Sequence, residues 1–170
     1  MNKKVERNYL EISSLEDFKD SFYYSEKYCV ELVNPVDFQL NKFFYKNVGK
    51  NHHWVDRLVW TEQQWIGYVS DKKVKTYVLK VKGDFAGYFE LILHLKKNEV
   101  EIAYLGLLEE YLNQKLGSYL LSSAIKNSFL NKPKRVWVHT CSLDHKNALK
   151  NYLSRGMKIF KTEAVKIKTA

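Results

Sequence analysis

Of its 170 residues the chain spends only two on cysteine, two on proline and seven on glycine. Two cysteines, Cys29 and Cys141, are too few for a disulfide scaffold or for a zinc site built from cysteine alone, and such usage fits a reducing, cytoplasmic address. Scarce proline and glycine beside 15% aromatic residues excludes a low-complexity or disordered chain and describes a core-former. No stretch approaches 18 uninterrupted apolar residues, so no membrane span or membrane partner is expected. The start, Met1 to Arg7, is basic but has no apolar run behind it and does not read as a secretory leader. Linkers, repeats and biased tracts are missing too. The length suits one domain, expected over residues 1–170, large enough to bury a core unaided.

Arginine is also scarce. The 28 basic residues exceed the 19 acidic ones by nine, yet only Arg7, Arg57, Arg135 and Arg155 are arginines. A net charge of +9 suits a polyanionic partner such as nucleic acid or a phosphate-bearing small molecule, or else a solvated lysine surface. Base reading and bidentate phosphate clamps favour arginine, so a nucleic-acid partner is the weaker expectation.

Periodicity predicts an α/β chain of mixed sheet. An N-terminal strand is expected over about 5–12, then a short helical turn with Ser13 and Glu16 at capping-box spacing. A strand follows over 28–33. Asn34 and Pro35 are read as cap and first residue of a helix ending before Gly49. An aromatic loop over 50–60 precedes a second helix opened by Thr61 and Gln64. Residues 74–81, 85–95 and 100–107 alternate as three strands joined by short turns, hence antiparallel neighbours. Leu116, Leu120, Leu121, Ala124 and Ile125 share one helical face; a strand over 136–141, a helix capped by Asp144 and ended at Gly156, and a strand over 157–167 complete the chain.

The chemistry is sought first in residues 101–121. A strand runs through a short turn at Gly117 into a helix, and such a junction offers unpaired backbone N–H groups and a positive dipole end to a phosphate. Asn113, Gln114 and Lys115 add polar and cationic groups there. The same pattern also describes an ordinary α/β turn.

These residues resemble the GNAT superfamily of acyl-CoA N-acetyltransferases. Its central motif, [Gln/Arg]-x-x-Gly-x-[Gly/Ala], falls on Leu112-Asn113-Gln114-Lys115-Leu116-Gly117, where the last glycine matches while Leu112 and Lys115 depart from it. Upstream, residues 101–107 are similar to the fourth strand of the histone-acetylating branch. Downstream, His145-x-x-Ala148-x-x-x-Tyr152-x-x-x-Gly156-Met157 follows the family's Asn-x-x-Ala-x-x-x-Tyr-x-x-x-Gly-Phe. The resemblance covers about residues 74–160 and implies a GNAT-like fold, a mixed, mostly antiparallel sheet flanked by helices and splayed between the fourth and fifth core strands.

It further implies an acetyl-CoA-dependent N-acetyltransferase that acts by direct attack in a ternary complex. The acceptor would be a small-molecule or peptide amine, with no metal, in a monomer or homodimer. Leu107 and Leu108 would meet the pantetheine arm, with a bulge at Gly106. Asn113, Gln114, Lys115, Leu116, Gly117 and Ser118 would hold the diphosphate, and His145 would contact the cofactor. Tyr152 would be the general acid, or else a core tyrosine on the Ala148–Leu149 stripe. Glu101 is the candidate base, or a solvated strand carboxylate, and Glu90 is the second candidate. The loop around His52, His53, Trp54, Asp56 and Trp60 would either border the acceptor or pack on the sheet. The Lys115 departure leaves a catalytically degenerate CoA binder as the alternative, ahead of a basic nucleic-acid-binding module.

Overall fold

The computed structural model describes residues 1–21 and 23–168. Seven strands form one sheet: β1 (Asn2–Ile12), β2 (Tyr28–Leu32), β3 (Val74–Val81), β4 (Asp84–His94), β5 (Glu99–Leu107), β6 (Arg135–Cys141) and β7 (Lys158–Lys168). Four helices intervene: α1 (Phe38–Gly49), α2 (Glu62–Ser70), α3 (Leu116–Phe129) and α4 (Ala148–Ser154). Their order along the chain is the expected one, with short 3-10 turns at Leu15–Asp17 and Glu109–Tyr111.

The strands lie in the order β2-β3-β4-β5-β6-β1-β7, and among the described residues only the pairing of β5 with β6 is parallel. Alternation along β4 splits the core between two faces. Phe89, Leu91 and Leu93 join Leu116, Leu120, Leu121 and Ile125 of α3 on one side. On the other, Tyr88 stacks on Phe44 of α1 at 4.8 Å, beside Val48 and Val78. The N-terminal strand inserts between β6 and β7, antiparallel to both.

Helix starts follow the orphan N–H groups. Thr61 and Gln64 form the expected reciprocal capping box. Elsewhere the caps move. Ser14, not Ser13, accepts from the Glu16 N–H. Asn34-Pro35 is a cis bond ahead of α1, and Asp37 is the cap because its carboxylate reaches the Gln39 N–H. Asp144 does not cap α4, whose flanking residue is Asn147; its carboxylate instead accepts from Thr140 Oγ1 and the Cys141 N–H.

The bulge in β5 is at Ala103 rather than Gly106, since Glu90 pairs with Tyr104 and Leu91 with Ile102. Gly106 answers a different demand. A Cβ there would lie 2.3 Å from Val48 Cγ1, so glycine lets α1 approach the strand.

Candidate active-site cleft

The parallel pairing of β5 with β6 is brief. Glu99, Val100 and Glu101 face Arg135, Val136 and Trp137, after which β5 runs to Leu107 and β6 to Cys141 without further pairing. A cleft of about 1180 Å³ opens where they part. Its floor and walls include Glu101 and Leu107 of β5, His139 and Cys141 of β6, and Tyr152 of α4.

Backbone groups on the β5 wall are set by alternation. The Leu108 N–H donates to the Ala86 carbonyl at 2.8 Å, toward β4. The N–H and C=O of Leu107 therefore turn to the side that β6 has left. Leu108 itself is buried and does not reach the cleft, contrary to the expectation for it.

At the end of the cleft stands the first turn of α3. Among the described residues no side chain caps it, and its flanking residue Lys115 has φ 63°, in the left-handed region. Asn113 is left-handed too, at φ 60°. Left-handed residues at 113 and 115 stand on either side of Gln114, whose φ is not positive, and anion-binding nests are built on such alternation. Asn113, Lys115, Gly117 and Ser118 line the cleft there. Gln114 turns away to donate to the Glu110 carbonyl, and Leu116 is buried in the core beneath the helix. A Cβ on Gly117 would meet Asn151 Nδ2 at 3.8 Å, an ordinary contact distance, so the fold leaves room for one there.

Two residues that the sequence reading did not single out complete this end. Asn151 Nδ2 donates to the Gly117 carbonyl at 3.0 Å, tying α4 to α3. Arg155, three positions beyond Tyr152 and so near it on α4, also lines the cleft. That spacing was the available signal. Arg7 lines the cleft as well, and no local pattern announces it, since it arrives through the pairing of β1 with β6.

Tyr152 is 8% exposed, and its hydroxyl has no hydrogen bond among the described residues. Burial, with the Asp144 charge, raises the phenol pKa, so it remains protonated at neutral pH. Glu101 is held by His94, whose Nε2 lies 2.9 Å from its Oε1, while 17% of its side chain stays accessible. His145 lines the cleft and accepts the Asn147 N–H on Nδ1. His52 and His139 also border it, and burial lowers the pKa of both, so both are neutral at pH 7.

Glu90 lies elsewhere. It is fully buried, does not line the cleft, and accepts from Asn41 Nδ2, Tyr68 Oη and Arg57 Nη1. Arg57 in turn sits among five aromatic rings within 5.8 Å, those of Tyr45, Trp60, Trp65, Tyr68 and Tyr104. The aromatic loop is thereby folded onto the sheet, while His52, His53, Trp54 and Asp56 still reach the cleft.

The family model described as acetyltransferase (GNAT) matches residues 37–157. The chain belongs to this family. Its fold is shared with a GCN5-related N-acetyltransferase from Sphaerobacter thermophilus, at TM-score 0.73 and 12% identity, over 97% of this chain and 51% of the other. A spermidine N-acetyltransferase from Vibrio cholerae, in complex with CoA and spermine, matches at TM-score 0.63 and 14% identity, over 78% and 81%. An aminoglycoside acetyltransferase from an uncultured soil metagenomic sample matches at TM-score 0.63 and 13% identity, over 76% and 87%. The present chain spans about half the length of the Sphaerobacter protein. No curated protein matches it by sequence. Among the described residues no helix is long and apolar enough to cross a membrane, and no three His, Cys, Asp or Glu side chains are grouped to hold a metal ion.

Proposed function

We propose that this GNAT protein transfers an acetyl group from acetyl-CoA to a primary amine, with donor and acceptor held together in the cleft. The observation that carries the reading is the parting of β5 from β6 in front of the uncapped α3 N-terminus. It supplies one slot with free backbone on its wall and anion-binding backbone at its end.

The residues fit the donor. The nest at Asn113–Ser118 would take the diphosphate, with Lys115 and Arg155 as the nearby cations. The family glycine is replaced by Lys115, yet the lysine adopts the left-handed φ that a glycine would supply, which argues against the degenerate alternative. Leu107 would pair with the amides of the arm, and its N–H would polarise a carbonyl entering the slot.

Acetyl-CoA supplies a thioester, with an electrophilic carbonyl and a thiolate leaving group. Tyr152, kept protonated by burial, would hand its proton to the departing sulfur. Glu101, steadied by His94, would take the proton of the attacking amine directly or through water. Glu90 would act at one remove, fixing Arg57 and with it the wall of the acceptor side. Both cysteines are free, in keeping with a cytoplasmic enzyme.

Calorimetric titration with acetyl-CoA and CoA tests the reading. Micromolar one-to-one binding, lost in Gly117→Leu, is expected. The fold has room for a Cβ at residue 117, so lost binding in a folded variant reports on ligand space. Absence of binding to the native protein would overturn the proposal.

A further inference from the structure

The structure sorts the four arginines into two kinds. Arg57 is paired with Glu90, and Arg135 with Glu11 and Glu99. Arg7 and Arg155 make no ion pair among the described residues, and each buries an Nε without a hydrogen-bond partner. Both line the cleft. A guanidinium N–H left buried and unpaired is unfavourable unless something arrives to accept from it.

Their positions differ. Arg155 ends α4, the helix tied through Asn151 to Gly117, and so belongs with the diphosphate end already described. Arg7 stands opposite Cys141 in the β1–β6 register. Along β6, Trp137, His139 and Cys141 alternate onto one face, and Trp137 is the residue paired with Glu101. Val100 and Ile102 pack with α3, so Glu101 points to the opposite face. Arg7 therefore shares a face with Glu101, away from α3. The step from Trp137 to Cys141 is roughly 13 Å along the strand, and the reach of both side chains shortens it to the span of a small molecule.

The surrounding charge agrees. Among the described residues seven lysines and arginines line the cleft, of which Arg57 is already bound to Glu90, against three acids, Asp56, Glu101 and Asp144. Asp144 is engaged by Thr140 and the Cys141 N–H, and Glu101 by His94. The fully buried carboxylate nearest the acceptor loop, Glu90, is already neutralised by Arg57. A polycation finds little here to replace its water, whereas a carboxylate or phosphate finds Arg7, whose cross-strand neighbour Glu163 is already engaged by the Tyr9 hydroxyl and Lys161 and leaves the arginine Nε without an acceptor.

Building on the acetyl-transfer reading, we infer that the acceptor is an amine that also carries an anionic group, a carboxylate or a phosphate, and that Arg7 holds this group while the amine faces Glu101. Arg7 lies outside the residues that the family model matches, so the specificity comes from the strand β1 adds to the sheet.

The test follows thiol release from acetyl-CoA with three sets of amines: the common α-amino acids, glucosamine 6-phosphate, and the cationic pair spermidine and cadaverine. Amino acids answering alone would identify a carboxylate, and glucosamine 6-phosphate alone a phosphate. An anionic amine should exceed the cationic pair by about tenfold or more in kcat/KM. Arg7→Gln should raise KM for it by about tenfold with little change in kcat or acetyl-CoA affinity, and Arg7→Lys should recover part of the loss. Equal or better use of the cationic amines, or an unchanged KM in Arg7→Gln, overturns the inference. So does acetyl-CoA binding without turnover of any anionic amine. Failure to bind acetyl-CoA instead removes the acetyl-transfer reading, and this inference falls with it.

Discussion

Arg57 Nη1 lies 3.0 Å from Glu90 Oε2, and both side chains are withdrawn from solvent, the carboxylate completely. The pair joins the loop after α1 to the middle of β4, and Tyr68 and Asn41 satisfy the remaining carboxylate lone pairs. A buried pair of this kind is weak evidence for net stability, but removing one partner leaves the other charged and unpaired. Arg57→Leu is expected to destabilise the fold by about 3–5 kcal/mol. The double variant Arg57→Leu/Glu90→Leu should lose less than the sum of its singles. Urea unfolding of the four proteins measures the coupling.

For Tyr152 the expected signature is kinetic. Tyr152→Phe keeps the buried ring and removes only the hydroxyl, so acetyl-CoA affinity should hold while turnover falls about tenfold or more. Steady-state rates beside calorimetric affinities separate the two, and an unchanged rate would return Tyr152 to a packing role.

Glu101 is checked by the pH dependence of the rate. Glu101→Gln should flatten the rise of kcat/KM with pH if the carboxylate collects the proton of the amine. A profile of unaltered shape would assign that proton to water.

At Lys115 the backbone and the side chain make opposite contributions. Lys115→Gly relieves a left-handed φ at a residue with a Cβ and should stabilise the protein by about 0.5–1 kcal/mol. The same change removes a cation from the diphosphate end and should weaken acetyl-CoA binding severalfold. Thermal melting and calorimetry on the one variant read both effects.

Acid should destabilise the protein through its cleft histidines. Burial lowers the pKa of His52 and His139 below the ordinary 6.5, partly offset at both by the Asp144 charge. Arg7 pushes His139 the same way as burial, and Glu101 and Glu163 oppose it. Above pH 6.5 both states are neutral and nothing is lost. As pH falls below that value the unfolded chain takes up protons first, so stability declines until the folded pKa values are passed. Melting temperatures from pH 7.5 to 5 should drop less in His52→Gln/His139→Gln than in the native protein.

Much of the architecture was legible in the residues themselves. Alternation and β-rich runs bounded by turns located the seven strands, helical spacing and the Thr61–Gln64 box located the helices, and the Gly117 junction with Tyr152 at its spacing led to the family. These are local signals, because side-chain period and capping depend on neighbours within a few positions. The misplaced features are local too, but they are competitions: Asp37 over Asn34 at one cap, Ala103 over Gly106 at the bulge, each settled by which hydrogen bond or close approach the packed chain permits.

Only the tertiary structure could set Glu90 and Glu101 apart. Both are strand carboxylates with apolar neighbours in sequence, yet one is sealed under Arg57 and the other opens to the cleft. Only the tertiary structure could bring Arg7 to the same cleft, because that depends on β1 entering the sheet beside β6, 134 residues away in the Arg7–Cys141 pairing. Composition and spacing determine which elements form and which family they build. What the cleft recognises depends on side chains that long-range strand pairing brings together, and no pattern along the chain encodes that meeting.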